Sequence, residues 1–128
     1  MKILHIEDDE TIANLFGKLV RSVGHKYTTT PNGKWALEIL ESDDYDVILL
    51  DLSMPEFSGF DFVKEFRERI PNKNCSIIVL SALDISKDNE ETLRNLGVTT
   101  FVQKPISLSN ILDVLENEKQ KLVTSTPA

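Results

Sequence analysis

The run Val47-Ile48-Leu49-Leu50-Asp51-Leu52-Ser53-Met54-Pro55 decides the reading of this chain. Its first four side chains are all apolar, with none of the alternation that marks a strand half open to water. A strand apolar on both faces belongs in a parallel sheet covered by helices on both sides. The run Ile77-Ile78-Val79-Leu80 repeats the pattern and is followed by Ser81, as the first is followed by Asp51.

Outward from these two strands, short apolar runs alternate with amphipathic stretches. Ile3 to Ile6 predicts a first strand, and Ile12, Leu15, Phe16, Leu19, Val20 and Val23 mark a helix that Gly24 ends. His25 to Thr30 is rich in strand-favouring residues, Pro31-Asn32-Gly33 turns the chain, and Trp35, Leu37, Ile39 and Leu40 mark a second helix closed by Asp43-Asp44. Ser58-Gly59 opens a third helix carrying Phe60, Phe62, Val63 and Phe66, which Pro71-Asn72 ends. A charged fourth helix, the least apolar, runs through Leu93 and Leu96 to Gly97. Thr99 to Val102 predicts a fifth strand. Leu108, Ile111, Leu112 and Leu115 predict a last helix capped by Ser107. Five strands alternating with five helices make a doubly wound α/β domain. From about Glu116 the apolar period fades, so residues 1–122 are read as the domain and 123–128 as a polar tail that frays. No linker leads to a second domain, and the tail reads as a natural end.

Composition narrows the function. In 128 residues, 41% are hydrophobic and 27% charged, the make-up of a soluble globular domain. Twenty-one acidic against fourteen basic residues leave a formal charge of −7, which argues against nucleic acid or an anionic membrane as partner. The N-terminus has too short an apolar stretch for a signal peptide, and no segment approaches membrane-spanning length, so a cytoplasmic protein is expected. The lone Cys75 reads as a small buried hydrophobe in a reducing compartment. Tyr27 and Trp35 read as packing residues. His5 and His25 lack metal-ligand spacing to any partner.

In a doubly wound sheet, ligands bind beyond the carboxyl ends of the strands. There the first strand ends in Glu7-Asp8-Asp9, the third in Asp51, the fourth in Ser81 and the fifth approaches Lys104. Converging carboxylates repel one another and need a cation. Mg²⁺ suits them, because it takes oxygen ligands and uses one or two carboxylates together with a phosphate. Lys104 brings the opposite charge and Ser81 a hydrogen-bond donor, both suited to the equatorial oxygens of a phosphoryl group in transfer. An aspartate at that centre can act as the nucleophile. Asp9, with Thr11 behind it, reads as a helix cap.

Ile6-Glu7-Asp8-Asp9, Asp51-Leu52-Ser53-Met54-Pro55, Ser81-Ala82 and Lys104-Pro105 together resemble the receiver domains of two-component response regulators, single-domain chemotaxis regulators among them. The resemblance covers roughly the first 120 residues, by motif order and spacing. It implies a flavodoxin-like (βα)5 fold with strand order 2-1-3-4-5, and a signalling switch with intrinsic autophosphorylation and autodephosphorylation rather than a metabolic enzyme. It implies Asp51 as phosphoacceptor and Glu7 and Asp8 as acidic pair. Asp8, Asp51 and the Ser53 backbone carbonyl become Mg²⁺ ligands, with Glu7 acting through a water. Ser81 and Phe101 become the switch pair and Lys104 the phosphoryl-binding lysine. Ser53 and Leu83 would flank the path of a hydrolytic water, and the Lys104-Pro105 bond would be cis. The implied donor is a histidine kinase or a histidine phosphotransfer protein. The implied receiver of the signal is another protein, with a homodimer through helix four, strand five and helix five also open. Two other readings stand beside this one. A Mg²⁺-dependent aspartyl phosphatase or phosphotransferase usually carries a second Asp where this chain has Ser53, and a docking receiver that is never phosphorylated would not need the complete set Glu7, Asp8, Asp51, Ser81 and Lys104.

Overall fold

The two apolar runs do form the centre of a parallel sheet. The computed structural model describes residues 1–52, 59–71, 74–81, 85–104 and 107–125, the side chains of residues 108 and 122–125 excepted. Elements follow in the order β1 (Lys2–Ile6), α1 (Glu10–Ser22), β2 (Lys26–Thr30), α2 (Gly33–Ser42), β3 (Val47–Asp51), α3 (Gly59–Arg69), β4 (Ser76–Ser81), α4 (Lys87–Asn95), β5 (Val98–Gln103) and α5 (Leu108–Ser125). The strands lie in the order β2-β1-β3-β4-β5, all parallel. The chain therefore reverses its direction of winding between β1 and β3, where the ligand crevice of such a sheet opens.

Period-two alternation along the strands divides the core in two. Leu4, Ile6, Ile48, Leu50, Ile77 and Val79 face α2, α3 and α4, meeting Leu37, Leu40, Phe62, Phe66 and Leu93. Ile3, Val47, Leu49, Ile78 and Leu80 face α1 and α5, meeting Phe16, Val20, Ile111 and Leu115. Every residue of β3 is buried, as its unbroken apolar run requires. Helix starts follow local hydrogen bonding. Asp9 accepts from the amides of Thr11 and Ile12, Asn32 from Trp35, Ser86 from Asn89 and Ser107 from Asn110. Each satisfies an amide that the helix cannot. Gly24 and Gly97 follow α1 and α4 with φ of 91° and 96°, a left-handed turn that costs a side chain energy and glycine little.

Several expectations shift. Trp35 does not pack: α2 buries Gly33, Ala36, Leu37 and Leu40, and Trp35 lies off that stripe, 57% exposed. In α1 the buried stripe is Ala13, Phe16, Gly17 and Val20, which leaves Leu15 and Val23 half-exposed. Helix α5 continues past Glu116, where the apolar period fades, to Ser125. Glu116 accepts from Gln120 at 3.0 Å, and Glu118, only 3% exposed, accepts from Lys121 at 3.2 Å. Polar pairs three and four residues apart support this extension where apolar spacing runs out. Cys75 is half-buried beside the core rather than inside it.

Candidate functional site

The alternation that builds the core also aims the chemistry. Glu7 continues the row Ile3, His5 on β1, and Asp51 continues Val47, Leu49 on β3, so both point to the α1 and α5 side of the sheet edge. Lys104 follows Val102 by two residues and arrives from β5 on the same side, its amide donating to the Ser81 carbonyl at 2.6 Å. There the Lys104 ammonium donates to Asp51 Oδ2 at 2.8 Å. Ligand oxygens of Glu7, Asp8 and Asp51 all lie within 4.8 Å of one another. Glu7 and Asp51 are buried, while Asp8 is exposed at the rim.

Such crowding has an electrostatic cost that Glu7 carries. Burial first, then a hydrogen bond to Asp51 and repulsion by Asp51 and Asp8, push its carboxyl up to about 8, against the opposing pull of Lys104. Burial, the hydrogen bond and the repulsion all favour a proton on Glu7 over a second negative charge beside Asp51. Glu7 Oε2 is buried without a hydrogen-bond partner among the described residues. An all-carboxylate oxygen set with one orphaned lone-pair donor, open to solvent at Asp8, fits a hard divalent cation such as Mg²⁺. Beside it a cleft of about 420 Å³ is lined by Glu7, Asp8, Glu10, Ala13, Asn14, Thr29 and Pro31.

Ser81 and Phe101 stand on the other side. Ser81 continues Ile77 and Val79, and Phe101 packs against the same core half, diagonal to Ser81 through the pairs Val79 with Phe101 and Ser81 with Gln103. Ser81 is buried and Phe101 half-buried. Glu7, Asp51 and Lys104 therefore reach the sheet edge from one side, and Ser81 and Phe101 from the other. Asp9 caps α1, as its sequence context indicates, and turns away from the carboxylate cluster. Ser53, Leu83 and the Lys104-Pro105 bond lie outside the described residues.

His5 was legible only as a non-ligand, yet it supports the floor of the site. It is fully buried two residues before Glu7, stacked on Phe16 at 4.9 Å, with Nδ1 2.6 Å from the Tyr27 hydroxyl. Tyr27 in turn donates to the Ala13 carbonyl at 3.1 Å. With the phenolic hydrogen on Ala13, Nδ1–H donates to the Tyr27 oxygen, as a neutral ring carrying its proton on Nδ1 can. Burial lowers its pKa to about 4, consistent with that state. The chain His5–Tyr27–Ala13 ties β1, β2 and α1 together beneath the carboxylates. The signal available in sequence was a polar ring in an otherwise apolar row.

The family model described as "Response regulator receiver domain" matches residues 3–116. A hybrid signal transduction histidine kinase B of Dictyostelium discoideum is 35% identical over 122 residues, covering 87% of this chain but only 6% of that protein. The polar-differentiation response regulator DivK of Brucella anthropi is 28% identical, covering 90% of this chain and 93% of DivK. Among solved structures, the Francisella response regulator 1452 receiver domain superposes with a TM-score of 0.82 at 30% identity, covering 94% of this chain and 98% of that one.

Proposed function

Since this chain belongs to the response regulator receiver domain family, we propose that Asp51 is its phosphoacceptor and that a partner's phosphohistidine is the donor. The chain is a receiver of two-component signalling, and family membership does not favour a metabolic aspartyl phosphatase. The single observation that carries the assignment to Asp51 is its position. It is the buried carboxylate at the end of β3 that both meets the Lys104 ammonium and lies within the acidic cluster.

In the proposed transfer, an Asp51 oxygen attacks the phosphorus as the bond from phosphorus to the imidazole nitrogen breaks, and the imidazole leaves on the partner. Lys104, already 2.8 Å from Asp51 Oδ2, is placed to follow the new charge onto the phosphoryl oxygens. Receiver domains generally use Mg²⁺ at this acidic pocket. Here Asp8 and Asp51, with Glu7 through a water and the Ser53 carbonyl, would hold the ion, whose charge offsets that of the incoming phosphoryl group. Ser81 would then donate to a phosphoryl oxygen and vacate space on the opposite face for Phe101, changing the surface of α4, β5 and α5. Kinship with a hybrid kinase and with DivK supports a histidine kinase or phosphotransfer protein as donor and another protein as receiver of the signal.

Incubation with acetyl phosphate and Mg²⁺, followed by intact-mass measurement, tests this. One phosphoryl adduct is expected, absent from Asp51→Asn. An adduct that persists in Asp51→Asn assigns the nucleophile wrongly, and none in the parent leaves the docking receiver as the better reading.

A further inference from the structure

Phe101 has a neighbour that the chemistry of the site does not require. The Arg94 guanidinium sits over its ring, 4.7 Å from the centroid. Arg94 is on the last turn of α4 and half in solvent, where a flexible side chain has little reason to hold one place. It is held by Glu90, one turn earlier, whose Oε1 accepts from Arg94 Nε at 3.2 Å and from a terminal nitrogen at 2.8 Å. The two bonds orient the planar group, and the ring's face offers the negative end of its quadrupole to the cation.

We propose that Arg94 is a positioning residue acting through Phe101, a latch braced by Glu90 that holds the aromatic ring in its present half-buried place and so opposes the switch. The inference rests on the reading of Phe101 as the aromatic that moves when Asp51 is phosphorylated. A ring that turns inward, into the space beside Ser81, leaves the guanidinium behind. The contact therefore belongs to one of the two ring positions, and only such a difference can shift a two-state balance. An exposed contact of this type shifts that balance by roughly two- to fivefold. Glu90 adds to the bias without touching the ring. The latch sets the threshold of the response rather than the chemistry at Asp51, which is on the other side of the sheet.

Side-chain ¹³C shifts and three-bond couplings of Phe101 in the unphosphorylated protein read the latch directly, with no use of Asp51. Arg94→Ala should raise the inward ring population about two- to fivefold, and Arg94→Lys, which keeps the charge but not the planar fork, should fall between. The second readout is the beryllofluoride concentration for half-saturation in the presence of Mg²⁺. It should drop by a similar factor in Arg94→Ala, and the substitution should change nothing once Phe101→Leu has removed the ring. Unchanged ring populations in Arg94→Ala overturn the latch, as does an equal gain in the Phe101→Leu background, which would make Arg94 a remote charge only. Failure of the parent to take beryllofluoride in an Asp51-dependent way overturns the phosphoacceptor reading instead, and the ring populations still decide the latch.

Discussion

Strands β3 and β5 belong to one sheet, yet the five residues of β3 are all buried and only Val98 of the six in β5 is. The helices beside them differ in the same way. Helix α3 buries Gly59, Phe62, Val63 and Phe66, whereas α4 buries Leu93 alone among its nine residues. Pairing of β4 with β5 also slips, Ile77 facing Val98 but Ile78 facing Thr100. Local opening costs least where buried apolar surface is small. The proposed acceptor Asp51 is thus mounted on the stiff half, and the proposed switch pair Ser81 and Phe101 would hand its state to the half that can yield. The carboxylate cluster and the surface proposed to change shape thus rest on different packing.

The largest effect that can break this contrast is on stability. Phe62→Ala removes a fully buried ring and is expected to cost about 3–5 kcal/mol. Phe101→Ala, at a half-buried site, should cost roughly half as much. Urea unfolding with unchanged slope measures both. Equal losses would mean that the β5 side is held as firmly as the β3 side.

The stiff half should also show stored repulsion. Burial and Asp51 push the folded, metal-free Glu7 up to about 8 while the unfolded chain keeps the ordinary carboxyl range, so the folded state is expected to bind more protons between those values. Stability is then greatest at low pH in this respect and is lost as pH rises toward 8. His5, lowered to about 4, has the opposite sign, but its contribution is complete above its unfolded value near 6.5. His25 is lowered as well and acts in the same sense as His5, so the slope is left to Glu7 only from about a unit above that value, between about pH 7.5 and 8, with a limit of about 1.4 kcal/mol per pH unit for one proton. Metal-free melts should fall across that window in the parent and stay level in Glu7→Gln. Millimolar Mg²⁺ should raise the parent's midpoint most at pH 8 and leave Asp8→Ala unmoved. A level parent profile means that Glu7 is ionised without a cation, and an equal rise in Asp8→Ala displaces the proposed metal site.

A smaller effect joins the halves. Ser81→Ala should still accept a phosphoryl group on Asp51 while losing much of a coupling typically about 1–3 kcal/mol. Amide shifts across α4 and β5 on beryllofluoride binding should shrink in that variant and vanish in Asp51→Asn. Full-size shifts in Ser81→Ala would move the link between the halves to another residue.

Legibility in the sequence follows the same divide. Strands β3 and β4 were readable because burial on both faces forces an unbroken apolar run. Glu7, Asp8, Asp51, Ser81 and Lys104 were readable because strand ends in a parallel sheet meet at one edge. The face each residue takes was available too, since alternation puts Asp51 with Leu49 and Ser81 with Val79. Side chains whose partners lie far away in the chain were not. The exposure of Trp35 depends on which arc of α2 meets the sheet, and the bond from His5 to Tyr27 on a register between β1 and β2 that no local pattern announces. Persistence of α5 beyond Glu116 rests on polar pairs, which apolar periodicity does not detect.

The smallest effect separates the two regions most finely. Ser86 accepts from the Asn89 amide at 3.2 Å and starts α4, as Asp9 starts α1 through Thr11 and Ile12. Removing either cap should cost about 1 kcal/mol. Its reach depends on what else holds the helix. Four buried residues anchor α1, so Asp9→Ala should speed amide exchange mainly in the first turn. Helix α4 has Leu93 alone to resist, so Ser86→Ala should raise exchange about fivefold through the whole helix to Arg94. Loosening α4 also loosens the Arg94 end that lies over Phe101, so beryllofluoride should saturate Ser86→Ala at a lower concentration. Faster exchange in β3 to the same degree would show that α4 opens only when the domain does, and the contrast between the two halves would then have no dynamic content.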